Sequence, residues 1–136
     1  MSNRHNARKA AVQALYQWDI TQQAADEIEP KFSQIHDMHN IDRKFLTEVM
    51  REVPNNQAVL EEAIVPFIGR EFSSLDPVER AILRLGAYEL KFRADVPTKV
   101  VMNEMIELAK TFGADHSYKF INGVMDKLAT ALRTPT

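Results

Sequence analysis

The sequence predicts an all-α fold of about seven helices in two packed helical-bundle subdomains. Three observations carry that expectation. Apolar residues recur at helical spacing along most of the chain, and nowhere is there sustained alternation of period two. The periodic stretches are also interrupted at short intervals by capping residues, prolines and glycines. With 136 residues, 45 % hydrophobic and 26 % charged, the chain is long enough to bury a core and ordinary enough in composition to be globular.

The first helix is expected over 6–20, with Ala7, Ala11, Ala14, Leu15 and Trp18 as its core stripe. Its other face carries His5, Lys9, Val12, Gln13 and Tyr16, an odd mixture for a plain solvated surface. Pro30 suits a short second helix over about 29–37, burying Ile28, Phe32 and Ile35. His36 and His39 follow at a spacing that could bring two imidazoles together. A metal site would need at least one more convincing ligand, and the nearby Asp37 and Asp42 serve equally well as turn and cap residues. Asp42 caps a third helix that stops at Pro54, with Ile41 and Leu46 placed as a hydrophobic staple. A fourth runs from about Asn56 to Ile68, burying Leu60, Ile64 and Phe67, with Pro66 bending its end and Gly69 closing it. The polar joint 70–74 then divides the chain into an N-terminal half, 1–72, and a C-terminal half, 73–136.

The stretch Leu75–Phe92 has the clearest start, with Asp76 as cap, Pro77 in the first turn and Glu79 three residues after the cap. It is apolar around most of its girth, so it belongs at the centre of a bundle, with Arg80, Arg84 and Lys91 as one wet edge. Glu89 falls within the apolar stripe and, if buried, needs an arginine, a lysine or backbone donors. A sixth helix ends at Phe112, where Gly113 is expected as a left-handed cap. The seventh, capped by Asp115 or Ser117, packs through Ile121, Val124, Met125, Leu128 and Leu132. Phe120 lies off that stripe beside Lys119, Gly123 and Lys127, and is either the edge of the core or a ring offered to a ligand. Gly123 within a helix suggests close approach of another chain or backbone.

Charge and chemistry narrow the function. The net charge of −2 does not advertise nucleic-acid binding, yet Arg4, Arg8 and Lys9 make residues 1–18 positive ahead of an acidic stretch over 19–70. Cations at a helix N-terminus oppose the macrodipole by about 0.3–1 kcal/mol each. A bound anion would offset that, and a frayed, solvated end would evade it. The absence of cysteine removes disulfides and thiolate metal sites. There is no phosphate-cradling glycine loop and no glycine-flanked nucleophilic serine. Glu104 and Glu107 stand on the polar side of their helix. No cofactor, metal or enzymatic activity is expected, and without an apolar span or signal segment the expected location is cytoplasmic with no membrane partner.

Several blocks resemble the transcription antitermination factor NusB family. They are Ala11-Val12-Gln13-Ala14-Leu15-Tyr16-Gln17-Trp18, Glu79-Arg80-Ala81-Ile82-Leu83-Arg84, Ala87-Tyr88-Glu89-Leu90 and Val96-Pro97-Thr98-Lys99-Val100. Asn103-Glu104, Glu107-Leu108-Ala109-Lys110 and Lys119-Phe120-Ile121-Asn122-Gly123-Val124 continue the match, in order, from about residue 4 to 128. The resemblance implies a NusB-like pair of helical subdomains without enzymatic activity. It also implies binding, with the ribosomal protein NusE, to the boxA element of nascent RNA, so that the RNA polymerase elongation complex, with other Nus factors, reads through terminators. Carried over by position, Arg4, His5, Arg8, Lys9, Lys119 and Phe120 would face RNA, and Tyr16 and Glu79 a protein partner. His5 and Asn6 stand where arginines are usual in that family, and His116 at an often acidic position. Two other readings fit the residues: a helical assembly module with little RNA affinity of its own, and a helical domain of the kind that precedes RNA cytosine methyltransferases.

Overall fold

A computed structural model describes residues 2–133. The last three residues of the C-terminal half, 134–136, lie outside the described residues. Among those described there are seven α-helices and no strand: α1 Asn3–Thr21, α2 Ala25–Ile35, α3 Arg43–Asn55, α4 Gln57–Ile64, α5 Pro77–Phe92, α6 Thr98–Phe112 and α7 Ser117–Arg133. Short 3-10 turns at Val65–Phe67 and Phe72–Ser74 join α4 to α5.

The caps work largely as the sequence implies. Asp42 accepts from the Phe45 N–H at 3.0 Å and Asp76 from the Val78 N–H at 2.8 Å, each satisfying a donor the helix cannot satisfy itself. Gly69, after the Pro66 turn, adopts φ +70°. Gly113 does not: its backbone is extended, with φ −83° and ψ 166°. Its requirement is steric, because a Cβ there would lie 2.6 Å from the Ala109 carbonyl and 2.8 Å from Ser117 Cβ. Ser117 is not a cap either, since its hydroxyl is spent on Glu79.

Helix α5 is the axis of the fold. All ten residues from Ala81 to Leu90 are buried, with α1, α3, α4, α6 and α7 packed around them. Gly86 sits at the middle, where a Cβ would come within 2.6 Å of the flexible end of the Met125 side chain and 3.1 Å of Met105, so the glycine leaves the room that these two side chains fill. Paired residues give the directions. Arg8 meets Glu89 while Asp19 meets Arg80 and Arg84, so α1 runs antiparallel to α5. Ser117 meets Glu79 while Arg133 meets Leu90, so α7 runs parallel to it.

Three expectations of burial are corrected. Arg84 is not on a wet edge: it is buried between the Trp18 and Phe72 rings and bound to Asp19 and Glu61. Phe92, in the last turn of the stretch expected at the centre of the bundle, is 44 % exposed and packs its ring against Tyr88, with centroids 5.6 Å apart. Ile35 is 78 % exposed at the last position of α2, which begins at Ala25 rather than near Glu29 and buries Ile28 and Phe32 instead. Pro30 lies inside α2, not at its start.

Candidate nucleic-acid interface

The N-terminus of α1 opens with Ser2, whose hydroxyl accepts from the His5 N–H at 3.0 Å. The basic residues that follow mostly turn inward. Arg8 donates to both carboxylate oxygens of Glu89, at 2.9 and 2.7 Å, and lies 3.6 Å from Glu104. His5 Nδ1 donates to Glu104 at 2.6 Å. Arg4 reaches Asp42 at 3.4 Å, the same carboxylate that caps α3. The guanidinium groups of Arg4, Arg8 and Arg93 all lie over the buried Phe45 ring, at 5.0, 5.3 and 5.6 Å.

Charge at this pole is therefore offset internally. The carboxylates that relieve the conflict with the α1 dipole are Asp42, which caps α3, Glu89 of α5 and Glu104 of α6. His5 and Arg8 are buried, whereas Arg4 and Lys9 remain partly exposed. Lys9 makes no ion pair among the described residues, and it lines a shallow recess with Asn6, Gln13 and His36. His36 stacks on Phe32 with ring centroids 3.9 Å apart. No group of three or more metal-ligating side chains converges among the described residues.

Arg93 carries the network outward. It donates to Glu48 at 2.9 Å and to Asp95, and these bonds hold the exposed Asp95 carboxyl down at about 2. The Tyr88 hydroxyl donates to the same Glu48. Burial first, then that bond and the neighbouring Glu48 and Glu52 charges, push the Tyr88 phenol well above its ordinary value.

A second cluster forms where α7 begins. Ser117 Oγ donates to Glu79 at 2.8 Å, and Arg70 stands 3.9 Å from the same carboxylate. The Arg70 guanidinium lies over the half-buried Phe120 ring at 5.7 Å. Lys119 is exposed and makes no ion pair among the described residues. The two clusters are not adjacent. One is anchored at Glu89 and the other at Glu79, about 15 Å apart along α5 at 1.5 Å per residue. Arg70 was missed in the sequence because the joint reads as plain linker. No periodic signal marks it.

Tyr16, 41 % exposed, stands in an open apolar groove of about 500 Å³ with Val12, Ile20, Phe32, Val78 and Phe112. Glu79 follows Val78 in the chain, but its carboxylate is turned toward Ser117 and is only partly exposed.

The seven-helix fold that carries these features recurs in known proteins. The NusB family model matches residues 5–130. The chain belongs to the NusB family. Transcription antitermination protein NusB of Pasteurella multocida is 47 % identical over 132 residues, covering 97 % of this chain and 92 % of that protein. The Idiomarina loihiensis protein of the same description is 48 % identical over 130 residues, covering 96 % and 94 %. The fold is likewise that of the family. T. maritima NusB superposes with a TM-score of 0.79 at 31 % identity, over 96 % of this chain and 93 % of that one. A chain in a crystal structure described as a plectonemic RNA supercoil superposes with a TM-score of 0.82 at 27 % identity, over the whole of both. No described helix of this NusB-family chain is long and apolar enough to cross a membrane.

Proposed function

We propose that this chain is an RNA-binding transcription antitermination factor acting in the cytoplasm. In this reading it joins the ribosomal protein NusE on the boxA element of nascent RNA, and with other Nus factors helps the polymerase elongation complex pass terminators. The observation that carries the reading is family membership over nearly the full length, since relatives matched end to end are named transcription antitermination proteins. The surface supports it. Phe120 offers a ring for base stacking, with Arg70 and Lys119 beside it for phosphates. Arg4 and Lys9 offer further cations across the molecule, and an extended single strand spans the gap between the two clusters. His5 and Arg8 act in this account from beneath, by fixing the start of α1. The Tyr16 groove is the site for the protein partner, with Glu79 at its margin.

Fluorescence anisotropy with boxA-containing and scrambled RNA, with and without NusE, tests the reading. Affinity for boxA RNA should be higher and should fall as salt rises. Phe120→Ala should cost roughly 1–3 kcal/mol of binding. Equal binding of both RNAs in the presence of NusE would refute it. The Tyr16 groove favours one alternative, an assembly module with little RNA affinity. That alternative holds if NusE binds normally and no variant on the Phe120 surface alters RNA binding.

A further inference from the structure

Three of the four glycines have a reason inside the molecule. Gly69 adopts φ +70°, while Gly86 and Gly113 are each closed in by atoms within 3 Å of where a Cβ would stand. Gly123 has none of these. It lies in the interior of α7, is exposed, and a Cβ added there would meet nothing within 4 Å. A helix-weakening residue thus stands where alanine would fit the folded chain without strain. Its neighbours on the surface are specific. Lys119 and Lys127 stand one turn before and one turn after it on the same edge of the helix, about 5–6 Å away on each side. Both are exposed and neither forms an ion pair among the described residues. The half-buried Phe120 ring adjoins one end of this edge, and Asp126, three residues after Gly123, borders it on the other side.

We infer that Gly123 is the point where the sugar–phosphate backbone of a single-stranded RNA lies directly against α7. One ribose packs on the bare Cα, and the phosphates on its two sides reach Lys119 and Lys127. The absent side chain lets the strand come close enough for both lysines to pair at once, and for the adjoining base to reach Phe120. Two unpaired cations in line favour a polyanionic strand over a protein surface here. This inference rests on the proposed RNA-binding role and adds a residue whose contribution is the space it leaves.

The test pairs thermal denaturation with anisotropy on labelled single-stranded boxA RNA, using the full chain with NusE. Gly123→Ala should raise Tm by a few degrees, since alanine is the better helix former, and still weaken RNA binding about 3- to 10-fold. Gly123→Leu should weaken it further, and Lys127→Ala should flatten the salt slope by about one unit. If Gly123→Ala and Gly123→Leu bind RNA like the parent while Phe120→Ala binds weakly, the inference falls and the RNA-binding role stands. A lower Tm for Gly123→Ala would point to an internal role and overturn it. So would loss of NusE binding with RNA affinity unchanged. Failure of the parent protein to bind RNA removes both the role and the inference.

Discussion

Replacing Glu89 with alanine isolates the buried pair that ties α1 to α5. Its carboxylate is 0 % exposed, and both of its oxygens accept from Arg8, itself 2 % exposed. Two unit charges about 4 Å apart attract by about 4 kcal/mol at an effective dielectric of 20, but desolvation consumes much of that in forming the pair. Removal of one partner is different, because a buried guanidinium is left with only Glu104 at 3.6 Å, which already serves His5. The expected loss is about 3–5 kcal/mol, a large part of the 5–15 kcal/mol typical of a domain. Arg8→Ala should cost a similar amount. The double variant Arg8→Met, Glu89→Leu exchanges the pair for apolar side chains of comparable size and should return to within about 1 kcal/mol of the parent. Urea unfolding followed by circular dichroism measures all three. RNA binding by the double variant adds a second readout, since burial of Arg8 predicts an unchanged salt slope. Single variants that lose less than 1 kcal/mol, or a double variant no better than either, would refute the reasoning.

Two more perturbations follow from the same structure. Arg133 donates to the carbonyls of Glu89, Leu90, Arg93 and Val96, which closes the end of α5; Arg133→Ala should lower stability by about 2–3 kcal/mol in the same urea assay. Tyr88 is held neutral by burial and by Glu48, so its folded pKa lies above the ordinary value near 10. Its contribution to stability is complete below about pH 10 and is lost as pH rises beyond it, by about 1.4 kcal/mol per pH unit. Tyr88→Phe should remove that part of the alkaline slope in a pH series of denaturation midpoints; an unchanged slope would contradict the burial.

The order of helices and their caps were legible because they depend on local chemistry. Asp42 and Asp76 accept from N–H groups two or three residues away, and Pro66 and Gly69 act on their own backbone. What failed depended on packing that periodicity and cap signals do not report. Arg84 read as a wet edge because periodicity reports the face a side chain leaves from, not what covers it; Asp19 and Glu61 cover it. Gly113 read as a left-handed cap because its position after Phe112 fits one, whereas the Ala109 carbonyl one turn before it and Ser117 at the start of α7 leave no room for a Cβ. Glu89 was the informative exception. A carboxylate within an apolar stripe demands a cation, and the chain's own first helix supplies it.

The same pairing explains why the basic start of the chain cannot be counted as free charge. Of Arg4, His5, Arg8 and Lys9, two are buried on carboxylates and a third is held by Asp42. Cations that can still release counterions are therefore few, in a chain whose net charge is −2. Long-range attraction to RNA is correspondingly weak. Beyond phosphate pairing with Arg70, Lys119 and Lys127, affinity in the proposed complex comes from contacts that need shape, namely a base on Phe120 and a strand lying close to α7, and from a second protein in the Tyr16 groove. Such contacts discriminate between sequences better than charge does. The buried Arg8–Glu89 pair contributes by holding α1 on α5, so that the Tyr16 groove and the Phe120 surface keep a fixed relation to each other.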